Sequence, residues 1–422
     1  MMDQRGGLGW SALLMVAALS IGSCGDEGPG LRGEPVRVGV IVSLTGGLAP
    51  VGPHLANSAE QVAREINSAG GLLGGRPLEL VVVDDQTDPD QAAVVARQLV
   101  EEEGVVAVIG SLASSASIEA QAITGAAGVP QVSCCSTSPD LTNAQPETDR
   151  YLFRTVPSDL LQAVVVARQA EEMGCTRLGI LHQNDSYGNP FGEAVETNFR
   201  GLGGTVAVRV PFQDGRPSYT SQVQMVADAT PDCIALVAFP VDGGTILRDW
   251  DGLAGAPEVT WIGTDGIKDS GFPEAAGRAE IVDGVMGTAP IVEPDTPFFN
   301  RYAAAYEATY SEPVGIFGGN QYDAAALVAL AIEAAGSTDG TAIRDALFEV
   351  SRGDEDTFFG PGELSFALQR IRQGRPVNYE GAGGSVDFDE FGNVVSNYEI
   401  WRYDAAEDAF VRTSVIQASE IQ

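Results

Sequence analysis

Short, unbroken apolar runs recur along this chain, each followed by a helical pattern, and that rhythm limits the fold more than any other feature. VRVGVIVSL begins at Val36, and HLANSAEQVAREINSAGG then sets Leu55, Ala59, Val62 and Ile66 on one helix face, closed by Gly70 and Gly71. LELVVVDD follows, then a helix from about Asp90 to Glu103, VVAVIGS, a helix over SIEAQAITGAAG, VPQVSCC and YLFRTV. Strands that are apolar at every position, instead of every second one, need cover on both faces, as in a parallel sheet flanked by helices. The rhythm restarts after Pro157 with a helix over LLQAVVVARQAEEMG, then RLGILHQ, a helix from Phe191 to Leu202, VAVRVPF, a helix near TSQVQMVADA, CIALVAF, a helix near TILRDWDGLAG, and VTWIGTD. At 422 residues the chain exceeds what one core serves. The expected fold class is α/β, with two Rossmann-like lobes built on parallel sheets.

After about Met286 come three more helical stretches, TPFFNRYAAAYEATYS, NQYDAAALVALAIEAAGS and GTAIRDALFEVSR. The tail GSVDFDEFGNVVSNYEIWRYD alternates apolar and polar residues about Gly392-Asn393, which predicts a hairpin. Asp387, Asp389 and Gly392 mimic the start of a calcium loop, but Phe391 and Tyr398 stand where oxygen ligands are needed, so that reading fails.

Fifty-eight acidic residues against 24 basic ones give a net charge of −34, which repels nucleic acid and anionic lipid surfaces. Neither is an expected partner. The apolar stretch SALLMVAALSIGSC is too short to span a bilayer and follows Arg5, as a secretion signal does. Its ending Ile21-Gly22-Ser23-Cys24 resembles the lipobox of bacterial lipoproteins, which implies a signal peptide over residues 1–23 and lipidation at Cys24. The polar, Gly- and Pro-rich residues 24–35 then form a tether. The chain is expected in the periplasm or at the cell surface, meeting the membrane only through its lipid anchor. Export permits disulfides, and Cys175, which precedes the first strand of the second lobe, can pair with Cys233, which begins its third, because those strands are expected to be neighbours; neighbouring parallel strands fit disulfide geometry imperfectly, and buried free cysteines are the alternative. The consecutive Cys134 and Cys135 are expected as free or strained thiols. With only two histidines, His54 and His182, no metal or cofactor is expected.

Ligands of open parallel sheets bind beyond the carboxyl ends of the strands, where strand order reverses. The third strand ends at Ser111, which places Ser114 and Ser115 at the start of the next helix, where free N–H groups and the helix dipole suit a carboxylate. The fourth strand delivers Cys135, Ser136 and Thr137 to the same edge. Simple helix capping would also account for the two serines. Strand ends of the second lobe carry Tyr187, Phe239 and Asp265. An anion cradle facing one carboxylate and two rings suits a zwitterion, its ammonium on Asp265.

VRVGVIVSLTGGLAPVG, the long run from Ser58 to Ala93, VIGSLASSAS, STSPDLT and DFDEFGNV with YEIW resemble the branched-chain amino-acid (Leu/Ile/Val) binding proteins of ABC importers. The resemblance implies a type I periplasmic binding protein fold with a three-strand hinge, crossing near Val156 to Asp159, Gly284 to Ile291 and Phe388 to Tyr398. It divides the chain into 36–156 plus 290–390 as one lobe and 157–289 plus 391–422 as the other. It implies a small-molecule ligand (an amino acid or analogue) held by Ser114, the backbone near Cys135, Thr137, Tyr187, Phe239 and Asp265, and delivery to ABC permease subunits. Val51 and Phe239 stand where the family often has tyrosine, and Thr87 and Ala113 where some members have a cysteine pair.

No nucleophile elbow, phosphate loop or dinucleotide fingerprint is present, so an enzyme is not expected. A ligand-sensing ectodomain acting through a separate signalling partner is the alternative. Lys268, the single lysine, is expected in solvent, His54 and His182 in structural roles, and the acidic DDQTDPD loop as a turn and helix cap.

Overall fold

The computed structural model describes residues 30–146, 148–291, 296–353 and 357–421. The signal and lipidation readings, Cys24 included, lie outside them. The first five strands are β1 (Val36–Val42), β2 (Leu78–Asp84), β3 (Ala107–Ile109), β4 (Gln131–Ser133) and β5 (Leu152–Arg154). They form one parallel sheet in the order β2-β1-β3-β4-β5. Six of the seven residues of β1 are buried, because helices cover both faces. Leu55, Ala59, Val62 and Ile66 all face this core from the helix Gly52–Ser68 and are fully buried.

The second sheet contains β6 (Arg177–Gln183), β7 (Thr205–Phe212), β8 (Cys233–Val237), β9 (Thr260–Gly263) and β10 (Met286–Pro290), parallel to their neighbours. After a short pair, β11 (Phe358–Phe359) with β12 (Asn378–Tyr379), the chain adds β13 (Tyr398–Asp404) and β14 (Ala409–Ile416). These two run antiparallel, giving the order β14-β13-β10-β9-β8-β6-β7, so the second sheet is not wholly parallel. The helices Pro297–Tyr310, Gly318–Ala335 and Gly340–Ser351 return to the first sheet. Gly318–Ala335 is buried from Gly318 to Glu333, as the uniform alanine and leucine content of that stretch requires.

The hairpin expected at Gly392-Asn393 does not form. Gly392 and Asn393 sit in a turn closed by Asp389, whose Oδ1 accepts from Phe391 and Asn393 N–H at 2.8 and 2.9 Å. The flanking apolar residues serve different lobes. Phe388 packs at a tilt against Phe153, with centroids 5.1 Å apart, whereas Tyr398 opens β13 against β10. The real hairpin is β13–β14, turning through residues 405–408. Single bonds align the crossing segments: Arg154 N–H donates to Gly392 O at 3.0 Å and Ile291 N–H to Asn397 O at 2.9 Å.

Cys175 and Cys233 are bonded, with Cα atoms 5.8 Å apart. Cys175 precedes β6 in the turn after its helix, outside the ladder, so parallel-strand geometry does not restrain it. Lys268 is not left to solvent. It pairs with buried Glu399, whose other oxygen accepts from Arg412 at 2.6 Å, because β13 brings that carboxylate beside the turn after β9.

Candidate functional site

Both sheets reverse strand order at comparable places, between β1 and β3 in one and between β6 and β8 in the other. Loops leaving those carboxyl ends meet in one cleft. Ser114, Cys135, Thr137, Tyr187, Phe239 and Asp265 all line it. Ser136 does not. Its hydroxyl is fully buried behind the wall, bonded to Ser117 Oγ at 2.8 Å and Leu112 O at 3.0 Å, because the turn after β4 points alternate residues to opposite sides.

Ser114 begins the helix Ser114–Thr124, yet its hydroxyl does not cap it. Ser114 Oγ accepts from Ser138 N–H at 3.2 Å, tying the β3 loop to the β4 loop. The capping account therefore fails for Ser114, whose helix start has no side-chain cap and borders the cleft. Ser115 is partly exposed and lies outside the lining. Behind this edge, buried Asp85 joins strand ends, accepting from Ser43 Oγ at 2.6 Å and from Ser111 Oγ. Its neighbours in the acidic loop act as expected: Asp88 caps the next helix through Gln91 N–H at 3.0 Å. Thr87 Oγ1 accepts from Leu48 N–H at 3.1 Å, which holds the β1 loop against the cleft.

Across the cleft, Tyr187 and Phe239 stack with centroids 5.5 Å apart and planes within 6°. The Tyr187 hydroxyl bonds Thr264 Oγ1 at 2.9 Å, next to Asp265. Gly266 lets this turn close, since a Cβ there would stand 2.5 Å from Ala238 O and 2.8 Å from the Tyr187 oxygen. Asp265 is 4% exposed, and its Oδ1 has no hydrogen-bond partner. Burial pushes its pKa up to about 6.

Sequence reasoning missed several participants. Asp159, fully buried at the start of its helix, donates its N–H to Thr137 O at 2.9 Å, and neither of its carboxylate oxygens has a partner. Burial first, then the charge of Asp265, hold its pKa well above the usual carboxylate range. Two such groups do not both ionise in a dry site without a cation. Its sequence context, Ser158-Asp159, reads only as a helix cap. Arg154 donates to the carbonyls of Thr137 and Ser138, both at 2.8 Å, and so braces the same turn. Ile316 and Phe317, from a loop far along the chain, complete an apolar wall with Leu48, Val51 and Leu112. His54 supports that loop through its Nε2 contact to Ile316 O at 2.9 Å. His182 is buried and bonded to Gln183 O at 2.9 Å, away from the cleft.

Cys134 and Cys135, expected as thiols, are bonded to each other. Among the described residues, the one group spaced to hold a metal is Cys175, Asp232 and Cys233, and its sulfurs are joined in the disulfide.

The family model for periplasmic binding proteins matches residues 35–376. The chain belongs to that family. It is a solute-binding protein and not an enzyme, and membership implies an extracytoplasmic location. This binding protein is similar to the leucine-, isoleucine-, valine-, threonine- and alanine-binding protein of Pseudomonas aeruginosa, 25% identical over 402 residues that cover 95% of this chain and 97% of that one. It is 27% identical over 292 residues to the Leu/Ile/Val-binding protein of Escherichia coli K12, covering 69% and 77%. A leucine-binding protein structure from Thermotoga maritima matches with a TM-score of 0.77 at 22% identity, covering 91% and 99%. A solute-binding protein from R. palustris, in complex with 4-hydroxybenzoate, matches with a TM-score of 0.74 at 18% identity, covering 91% and 96%. These structures establish the type I periplasmic binding protein fold.

Proposed function

We propose that this binding protein captures an α-amino acid with an apolar side chain between its lobes and presents it to an ABC permease. One observation carries the reading: Asp265, whose buried Oδ1 has no partner, lines a cleft that is also lined by Ser114 at its helix start. The ligand carboxylate meets the N–H groups and hydroxyls of Ser114 and Thr137, its ammonium meets Asp265, and its side chain lies along Leu48, Val51, Leu112, Ile316 and Phe317. The amino-acid names of its relatives support this assignment. The fold does not choose by itself, since a neighbour binds a benzoate. A ligand without an amine would leave the buried carboxylates uncompensated.

Residues 36–156 with 290–390 move as one lobe and 157–289 with 391–422 as the other, closing on the ligand because each supplies contacts that only the closed state satisfies together. The lobes already meet at the cleft rim, where a Cβ on Gly271 would stand 2.7 Å from Pro50 Cγ. Cys24 carries the lipid that holds the protein at the membrane, and mass spectrometry of the mature amino-terminal peptide checks this. Calorimetry on ligand-stripped protein tests the ligand reading against amino acids, their amides and aromatic acids. Aliphatic amino acids are expected to bind most tightly. Preference for an aromatic acid lacking an amine would overturn the assignment.

A further inference from the structure

The turn after β4 combines a ligand wall with a bond between successive cysteines. Cys134 is fully buried, while Cys135 is 9% exposed and faces the cleft. The turn is stitched to the β3 loop throughout. Cys135 and Ser136 N–H both donate to Ser133 Oγ, at 3.3 and 3.1 Å, and Ser133 Oγ donates to Ser111 O at 2.7 Å. Ser138 N–H reaches Ser114 Oγ. The disulfide closes a small ring in the middle of this lattice, and Thr137, buried and lining the cleft, follows two residues later. Two unbonded sulfurs need about the 3.5–4 Å of ordinary van der Waals contact. Cys134 is fully buried in the core whereas Cys135 borders the cleft, so the separation falls to Cys135 and the backbone carrying it.

We propose that the Cys134–Cys135 bond is a redox-sensitive positioning element of the solute site, holding Cys135 and Thr137 in place while formed and loosening them when reduced. The inference rests on the reading of this cleft as the solute site. A dithiol supplies the electrons. Its thiolate attacks Cys135 Sγ, the sulfur facing the cleft, and Cys134 leaves as a thiolate that takes a proton. The second thiol of the reagent then attacks the mixed disulfide, releasing Cys135 as a thiol and leaving the reagent as a disulfide. Two electrons and two protons are transferred in total. By linkage, the factor by which reduction weakens ligand binding is the factor by which bound ligand disfavours reduction at equilibrium.

The test measures L-leucine affinity before and after treatment with a dithiol, in the native chain and in C175A/C233A, which removes the other disulfide. A loss of at least tenfold is expected in both, and C134A/C135A should bind with the weakened affinity whether or not the dithiol is present. Unchanged affinity for leucine in the reduced C175A/C233A protein would overturn the inference. Amide hydrogen exchange over residues 133–138 of the ligand-free protein provides a readout that needs no ligand. Faster exchange on reduction supports the positioning role, and identical protection refutes it even if leucine proves not to be the solute.

Discussion

Replacing Asp265 by Asn separates binding from folding. The side chain is buried and one oxygen is unpartnered, so in the ligand-free protein its charge is a liability. A pKa of about 6 against an unfolded value of about 3.9 is a shift of about two units, or about 3 kcal/mol of destabilisation when ionised. The sign follows from proton binding. Between about pH 4 and 6 the folded state holds a proton that the unfolded state has released, so this cost grows as pH rises through that window and is constant above it. The ligand ammonium offsets the cost, and loss of one partner from a desolvated charge pair removes about 3–5 kcal/mol. D265N should therefore raise the Kd for L-leucine by about a hundredfold to a few thousandfold at pH 8. Its ligand-free Tm should hold or rise. In the native chain, affinity should fall as pH drops below about 6, up to about tenfold per unit as the carboxylate protonates, and D265N should lack that dependence. Calorimetry and thermal scans across pH 4–8 read both effects. A change in Kd below fivefold, or a drop in Tm matching the lost affinity, would refute the reasoning.

S114A should weaken leucine binding by only about tenfold, since the N–H groups of the helix remain, and calorimetry showing a loss as large as that of D265N would count against the helix-start cradle. G271V adds bulk where even a Cβ would stand 2.7 Å from Pro50 Cγ, so it should hinder closure and lower affinity without touching the ligand. Small-angle scattering with saturating leucine should then report a larger radius of gyration than for the native complex; equal values would argue against closure at this rim. C175A/C233A should lose about 4 kcal/mol of stability by loop entropy, read by denaturant unfolding, with ligand affinity unchanged.

The strand-end logic was legible because it depends on backbone register: six residues named from strand termini do line one cleft. Ser136 misled because adjacent residues in a turn point to opposite sides, which composition does not reveal. Ile316 and Phe317 carried no signal, since their roles come from where a distant segment returns to the sheet edge, and Asp159 reads only as the start of a capped helix. The false hairpin at Gly392 arose from real alternation, produced by a segment whose apolar residues are shared between two lobes. Lys268 finds its partner in Glu399, 131 positions away, which no local pattern around Lys268 reveals.

In the proposed complex opposite charges grip one ligand from two sides, and a crystal structure with leucine measures this directly. It should place the ammonium nitrogen about 3 Å from an Asp265 oxygen and the ligand carboxylate at a similar distance from Ser114 and Thr137. A complex with the carboxylate turned toward Asp265, or with leucine bound outside the cleft, would contradict it.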